Sequence, residues 1–579
     1  MRTPCALLIA TLSASAGLLV LPAEPPRGFN SWDAYGTHGT YLNASIANSV
    51  AHGLADQLAH LGFDILTLDG GWIMDCTFDE HGRVLPSKAR WPDGLPPVVQ
   101  RAHSLGLRVG VWVGRGVHRG ALNQSKTVAG TDVPLDEIID QSPTGGQPNG
   151  TCSWDADLLG VNASHPAAPR YYDSVVDLLA SWGIDFIKLD CVFGVEAYLP
   201  ELRLFRAAVA RNARPITLSL SPSPAPAGEG ALVARERIAA MYRITADFHA
   251  HWGGWGGLQE AVFAAGNYST LIGANHTWPD LDMLPLGARP AGPPSGWHTY
   301  LKQADGSYEH RLGWLVGGGD VAPAAPLNFS AASAACSGLK RCLAFTFHNP
   351  SGARPAKPVT TYLKDQTTLM PDDPQRPGGI PYSFGGKPEE VLMLTLWGVA
   401  RSPLMFGGEL PIDASPTSGR VLRLLSNRWF NHVHRSSRGN HPFDYQGNCS
   451  CTGGGGICSL DFPQAASPCI AMWTAKLAAL PPGPRAGSPA ATAPAPASPT
   501  GATTLVALMN IGDRNGTARV DLAALGIKPK GGSWRYRLWD GWSDSPSRPI
   551  SQGNTTFDVA MVAHGAVMWL LEEVELARE

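Results

Sequence analysis

A short apolar run, Asp185-Phe-Ile-Lys-Leu-Asp190, constrains the fold of this chain more than any other feature. Phe186, Ile187 and Leu189 read as a buried strand, and Lys188 and Asp190, two residues apart, leave the same side of its C-terminal end. A buried strand that ends in Lys-x-Asp delivers charge to one place. In a parallel barrel, the C-terminal rim of the strands is where active sites stand. A structural ion pair closing a strand would look the same in isolation. This run has company: Tyr242-Arg243-Ile-Thr-Ala-Asp247 and Trp278-Pro-Asp280-Leu-Asp282-Met-Leu follow at intervals that suit successive βα units. The three runs together read as a sugar-cleaving site built from strand-end aspartates.

Short apolar strands alternate with helix-period segments from Gly28 to about Asn427. Gly28-Phe-Asn-Ser-Trp32, Phe63 to Asp69, Leu107 to Val113, Asp185 to Asp190, Pro215 to Ser221, Met241 to Thr245, the approach to Trp278, and Pro403 to Phe406 make about eight strands. Helical periodicity separates them at Val50–Leu61, Pro97–Leu105, Tyr171–Trp182 and Val391–Ala400. Eight such units predict an α/β fold of the (β/α)8 TIM barrel type over residues 24–430. A Gly- and Pro-rich stretch at 288–388 is far too long for a βα loop, and Cys336 and Cys342 within it suggest a small disulfide-stapled insert. After 430, short strand runs such as Thr504 to Met509 and Ala566 to Leu571 predict a C-terminal antiparallel β-sandwich over 431–579. Residues 480–503 form a low-complexity loop within it.

At 579 residues the chain exceeds one compact core, so several domains are expected. A net charge of −3 with 16% charged residues gives no reason to expect nucleic acid or an anionic membrane as a partner. Residues 1–23 carry Arg2 and a broken apolar run, the layout of a signal peptide and too short for a convincing membrane anchor. Ten Asn-x-Ser/Thr acceptors, at Asn43, Asn123, Asn149, Asn162, Asn267, Asn275, Asn328, Asn448, Asn515 and Asn554, point the same way. The expected location is secreted, extracellular or cell-wall, or the lumen of a vacuole or lysosome. Beyond Cys5 the cysteines are odd in number. Cys336/Cys342 and the Cys449, Cys451, Cys458, Cys469 group suit local disulfides of open pairing, and Cys191 is expected to be the free thiol. No cysteine spacing suggests zinc.

Glycosidic hydrolysis needs two carboxyl groups with opposite tasks, one at the anomeric carbon and one protonating the departing oxygen. Asp190 suits the first, with Lys188 favouring its ionised form. Asp247 suits the second and needs a proton near working pH; apolar neighbours and the Asp190 charge push it that way while Arg243 pulls against them. Asp69 and Asp282, at other strand ends, can hold hydroxyls, although Asp69 can equally cap a turn and Asp280 can simply turn the chain. Trp32, Trp72, Trp112 and Trp278 can wall a sugar or simply pack.

Gly28-Phe-Asn-Ser-Trp32, Leu68-Asp69-Gly-Gly-Trp72, Lys188-Leu-Asp190, Arg243-Ile-Thr-Ala-Asp247, Trp278-Pro-Asp-Leu-Asp282-Met-Leu and Leu396-Trp…Ser402-Pro-Leu resemble, in order and spacing, glycoside hydrolase family 27, the melibiase-type α-galactosidases. The resemblance covers about residues 28–430. It implies a retaining mechanism with Asp190 as nucleophile and Asp247 as acid/base, and sugar contacts from Trp32, Asp69, Lys188, Arg243 and Asp282. Trp112 and Ser221 complete the expected substrate-binding set. No metal or organic cofactor is implied, and the expected partner is an oligosaccharide or glycan.

Two departures bear on the sugar. The family's Asp-Asp pair is Asp69-Gly70 here, and its Cys-Glu-Trp loop is Leu220-Ser221-Pro222. Both resemble a plant-type branch associated with β-L-arabinopyranosides, which match α-D-galactosides but lack the C6 hydroxymethyl. The order of expectation is α-galactosidase, then β-L-arabinopyranosidase, then α-N-acetylgalactosaminidase. A catalytically silent carbohydrate-binding protein is the reading from another class, and the insert, which resembles an apple-type module, would then carry the binding.

Overall fold

The computed structural model describes residues 19–35, 42–73, 75–122, 125–222, 226–248, 257–287, 297–303, 305–315, 321–322, 325–348, 357–364, 369–371, 387–412, 416–447, 449, 468–478, 503–512, 514–527, 534–550 and 555–575. Most of the expected leader, Asn123, Asn448, Asn554, Cys451, Cys458 and all but Thr503 of the low-complexity loop lie outside them.

Eight short strands carry the apolar runs: β1 Arg27–Asn30, β2 Ile65–Leu68, β3 Arg108–Gly114, β4 Phe186–Asp190, β5 Thr217–Ser221, β6 Met241–Arg243, β7 Trp278–Asp280 and β8 Leu404–Phe406. Every neighbouring pair from β1 to β7 is parallel, and β8 pairs with β1. The ring closes between β7 and β8 through Leu284. Its N–H donates to the Met405 carbonyl at 2.7 Å, and its carbonyl accepts from Gly407 at 3.0 Å. β1, β2 and β5 are buried at every position, as expected where helices cover one face and the barrel interior the other.

The helices follow local caps as much as periodicity. The segment expected from Val50 runs as Ala44–Gln57, because Asn43 caps it with a side-chain bond to Ile46 N at 3.0 Å. Helix Ala168–Ser181 buries Tyr171, Tyr172, Val176 and Leu179.

The insert between β7 and β8 is a six-stranded antiparallel sheet spanning Trp297 to Pro371, crossed by helix Phe329–Gly338. Tyr300, Phe345, Phe347 and Leu363 close around Cys336 and Cys342 in its own small core. Helices Pro416–Leu425 and Arg428–Ser436 carry the chain past the expected boundary at 430. The C-terminal sheet begins at Arg438.

That sheet is covered on both sides. Strand Thr503–Asn510 is buried throughout, and its alternate residues separate into two cores. Leu505, Ala507 and Met509 join the core that contains Trp397 and Phe430 of the barrel side. Val506 and Leu508 meet Ala518, Val520, Val559 and Met561 of the facing two-stranded sheet. The expected sandwich is thus present, with its larger sheet also serving as a floor against the barrel.

Cys336–Cys342 and Cys449–Cys469 form local disulfides. Cys191 does not fill its expected place as the free thiol. It pairs with Cys152, 39 residues earlier, because the segment after β3 folds back against the end of β4. Cys76, exposed, is the free cysteine among the described residues. No helix among these residues is long and apolar enough to cross a membrane.

Gly28 shows how closely β1 and β2 approach: a Cβ there would stand 2.4 Å from the Ile65 carbonyl oxygen. Gly28→Ala is expected to lose about 1–3 kcal/mol of stability through this overpacking. Thermal or denaturant unfolding of the variant against the unmodified protein measures it.

Candidate active site

The parallel ring points its eight strand ends at one mouth, and the first seven bring a polar or aromatic group. Asn30 ends β1. Its Nδ2 donates to Asp69 Oδ2 at 2.9 Å, and its Oδ1 accepts from Trp32 N at 2.8 Å. Asp69 follows β2 and is buried; its Oδ1 also accepts from Gly70 N at 2.8 Å, so it caps the next turn and serves the site at once. Lys188 of β4 reaches across to Asp69 Oδ2 at 2.9 Å and lies 5.9 Å from the Trp32 ring centroid.

Asp190, two residues on, takes Trp112 Nε1 of β3 at 2.8 Å on one carboxylate oxygen and its neighbour Cys191 N at 2.6 Å on the other. Across the mouth, Arg243 ends β6. It donates to the Pro222 carbonyl at 3.1 Å and to Asp247 Oδ1 at 2.5 Å, and stands 3.7 Å from Asp282 Oδ2. Asp282 is buried with φ +80°, a left-handed conformation uncommon for a residue with a side chain. Its Oδ2 accepts from Phe248 N at 2.8 Å. That bond anchors the chain one residue past Asp247, whose own side chain is 49% exposed. Asp247 therefore stands open at the rim while Asp69 and Asp282 form the floor.

Burial sets the charge balance. It pushes Asp190 up, and Arg243, Lys188, the Trp112 indole and the Cys191 N–H pull back without cancelling it. Asp282 is raised in the same way against Arg243 and Lys188. Burial works against the charges of Lys188 and Arg243, yet the surrounding carboxylates hold both above their ordinary values. Asp280 is moved furthest, pushed up to about 7 by burial and then by the Asp282 charge, while its Oδ1 accepts from Asp282 N at 2.9 Å.

A cavity of about 20 Å³ beneath the floor is lined by Asn30, Thr67, Lys188, Ser221, Arg243 and Asp280 among others. Thr67 Oγ1 and Ser221 Oγ face it, each buried without a protein partner, and so remain available to bond a ligand or a water. Among the described residues no group of three His, Cys, Asp or Glu side chains is disposed to hold a metal.

The nine sequence-predicted residues thus line one mouth or support it directly. Two of the four expected aromatic walls do not. Trp72 is buried behind β3 with its indole donating to the Trp112 carbonyl, and Trp278 starts β7 at the opposite end of the barrel, bonded to the Pro22 carbonyl.

Three contributors escaped sequence reasoning. Asn30 was visible inside the Gly28–Trp32 motif. Asp280, set aside as a turn residue, is the buried end of β7. Arg115 gave no signal at all. It is buried, with its backbone N–H on the Asp190 carbonyl at 3.1 Å, and its guanidinium on the Cys191 carbonyl at 2.8 Å and the Gly150 carbonyl at 2.7 Å. Glu201 neutralises it.

Known proteins resemble this chain in parts. A 233-residue region is 29% identical to α-galactosidase 3 of Hypocrea jecorina, covering 35% of each chain. A 273-residue region is 24% identical to α-galactosidase of Cyamopsis tetragonoloba, covering 46% of this chain and 53% of that one. These alignments span less than two thirds of the relatives' own length. Among solved structures, a family 27 β-L-arabinopyranosidase of Geobacillus stearothermophilus matches with TM-score 0.62 at 24% identity, over 95% of this chain and 97% of that one, which supports the fold. No family model matches the chain.

Asp280 carries a pH signature. Its carboxyl binds its proton more tightly folded than unfolded, so between about pH 4 and pH 7 the folded state holds the extra proton and stability falls as pH rises. Above about 7 the full penalty of the buried charge remains. Asp280→Asn, which keeps an acceptor for Asp282 N, is expected to gain in thermal midpoint relative to the unmodified protein as pH rises from 5 to 8. Paired melts across that range read the difference.

Proposed function

The similarities support assignment to glycoside hydrolase family 27, the melibiase-type α-galactosidases, and on that premise we propose that this chain is a retaining exo-glycosidase. One observation carries the reading. Asp190 ends β4 and Asp247 lies four residues past β6, around a floor, made by Asp69, Lys188, Arg243 and Asp282, that offers charged partners to sugar hydroxyls.

In the proposed mechanism, the glycone rests on the floor with its C–H face toward Trp32. Lys188, Asp69 and Asp282 fix its hydroxyls. Asp190, its two oxygens oriented by Trp112 and Cys191 N–H, attacks the anomeric carbon as the leaving oxygen takes the proton of Asp247. A glycosyl ester with Asp190 forms. Asp247, now ionised, takes a proton from water, and that water releases the sugar with its anomeric configuration retained. The open position of Asp247 suits both duties, because a leaving group must depart past it and water must arrive. Arg243 suits its ionised half-cycle.

The sugar we propose first is α-D-galactose, with a β-L-arabinopyranoside as the second reading. The latter draws on Gly70, where a Cβ would meet nothing within 4 Å, so the place of the family's second carboxylate is open space. Passage through the secretory pathway belongs to the same proposal. Asn267, Asn275 and Asn515, three of the acceptors, are exposed.

Asp190→Asn is expected to lose about a thousandfold or more in kcat/KM on matched aryl α-D-galactopyranoside and β-L-arabinopyranoside. Proton NMR of the first-formed sugar is expected to read retention; inversion would overturn the double displacement. Sugar binding with no turnover by the unmodified protein would favour the binding-protein reading. Gly70→Asp is expected to shift the kcat/KM ratio toward the galactoside by about tenfold, through one charge-assisted hydrogen bond to the hydroxymethyl.

A further inference from the structure

Trp154 is 45% exposed, on a loop that has every means of staying put. Cys152, two residues before it, is bonded to Cys191, the residue after Asp190. Cys152 N donates to the Leu158 carbonyl at 2.9 Å, closing the loop on itself. Leu158 and Leu159 then pair with Val117 and His118, just beyond β3. Arg119 holds the outer turn by its backbone N–H to the Asp157 carbonyl and by its guanidinium to the Ala156 carbonyl at 3.0 Å. Single exposed aromatics on protein surfaces are ordinary. This one is carried by a fixed loop tied to the residue beside the candidate nucleophile.

Its ring is placed to continue the site. Trp154 lies 6.2 Å from Trp112, centroid to centroid, with the planes at 54°. Trp112 is itself nearly buried and spends its indole N–H on Asp190. The two indoles therefore form a step from the nucleophile outward to solvent. β3 and β6 stand three strands apart in the ring of eight, so Trp112 and Asp247 flank the mouth from different sides.

We propose that Trp154 is the platform of a leaving-group subsite, taking substrates whose aglycone offers a flat apolar face, either an aryl ring or the C–H face of a second sugar. The inference rests on the glycosidase reading above. Such a platform acts while the aglycone is still attached, in the step that kcat/KM reports, and does nothing for a leaving group too small to reach it.

The test compares the unmodified protein, Trp154→Ala and Trp154→Phe on three substrates that share the glycone the protein accepts: an aryl glycoside, a disaccharide and the glycosyl fluoride. Trp154→Ala is expected to lower kcat/KM on the aryl glycoside by about 3- to 10-fold while leaving the fluoride within about twofold, and Trp154→Phe is expected to recover most of the loss. The disaccharide arm tells whether the platform takes sugars as well as aryl groups. An equal loss on aryl glycoside and fluoride would make Trp154 a structural residue and overturn the subsite, as would no loss on either. Failure of the unmodified protein to turn over the fluoride would be a different result, felling the glycosidase reading and the subsite with it.

Discussion

The Lys188–Asp69 ion pair holds the rest of the mouth in place. Two charges taken out of water cost more than their mutual attraction returns unless further hydrogen bonds satisfy them. Here Asp69 is satisfied four ways: by Lys188 and Asn30 on Oδ2, by Gly70 N on Oδ1, and by Ser31 Oγ on its own N–H. The pair thereby fixes the ends of β1, β2 and β4 relative to one another. Trp32 and Asp190 stand on those same ends, so the nucleophile candidate inherits its position from a pair it does not touch.

Two cations, Lys188 and Arg243, face five aspartates: Asp69, Asp190, Asp247, Asp280 and Asp282. Burial outweighs both cations at Asp190 and at Asp282, and at Asp282 the Asp247 charge adds to it. For the proposed glycone, such a floor offers carboxylate oxygens that its hydroxyls can donate to. Asp280, pushed up to about 7 by burial and the Asp282 charge, holds its proton more readily than an ordinary carboxyl and so absorbs part of the excess. The left-handed backbone at Asp282 belongs to the same economy: it turns the chain so that one carboxylate faces the mouth while Leu284, two residues on, closes the barrel.

The barrel and the charged floor were legible because their signals are local. A strand of period two that ends in charge says where that charge goes, and Asp69, Lys188, Asp190, Arg243 and Asp282 all sit at or just past such ends. What sequence could not supply was contact between distant segments. Cys191 looked unpaired because its partner lies 39 residues away, beyond a loop with no strand signal to direct it. Arg115 reads as any surface arginine until Glu201, on a later helix, is seen to neutralise it. Trp72 and Trp278 were indistinguishable from Trp32 by composition: Trp278 begins its strand, at the far end of the barrel, and Trp72, past the end of β2, turns its indole onto the Trp112 carbonyl. Asp280 was misread for a related reason: Pro-Asp suggests a turn, and the pairing of Arg243 with Asp280 makes it the last rung of β7.

Arg115 and the Cys152–Cys191 disulfide form a second layer that explains why β4 can end so abruptly. Cys191 adopts φ +62°, a conformation a β-strand does not continue through. Arg115 takes both carbonyls, of Asp190 by its backbone and of Cys191 by its guanidinium, and the disulfide secures the side chain. The Cys191 N–H, in the peptide that leaves Asp190, points back onto Asp190 Oδ1. Arg115 thus holds the turn beside Asp190, and its guanidinium arm on Gly150 ties that turn to the segment leading into the loop that carries Trp154.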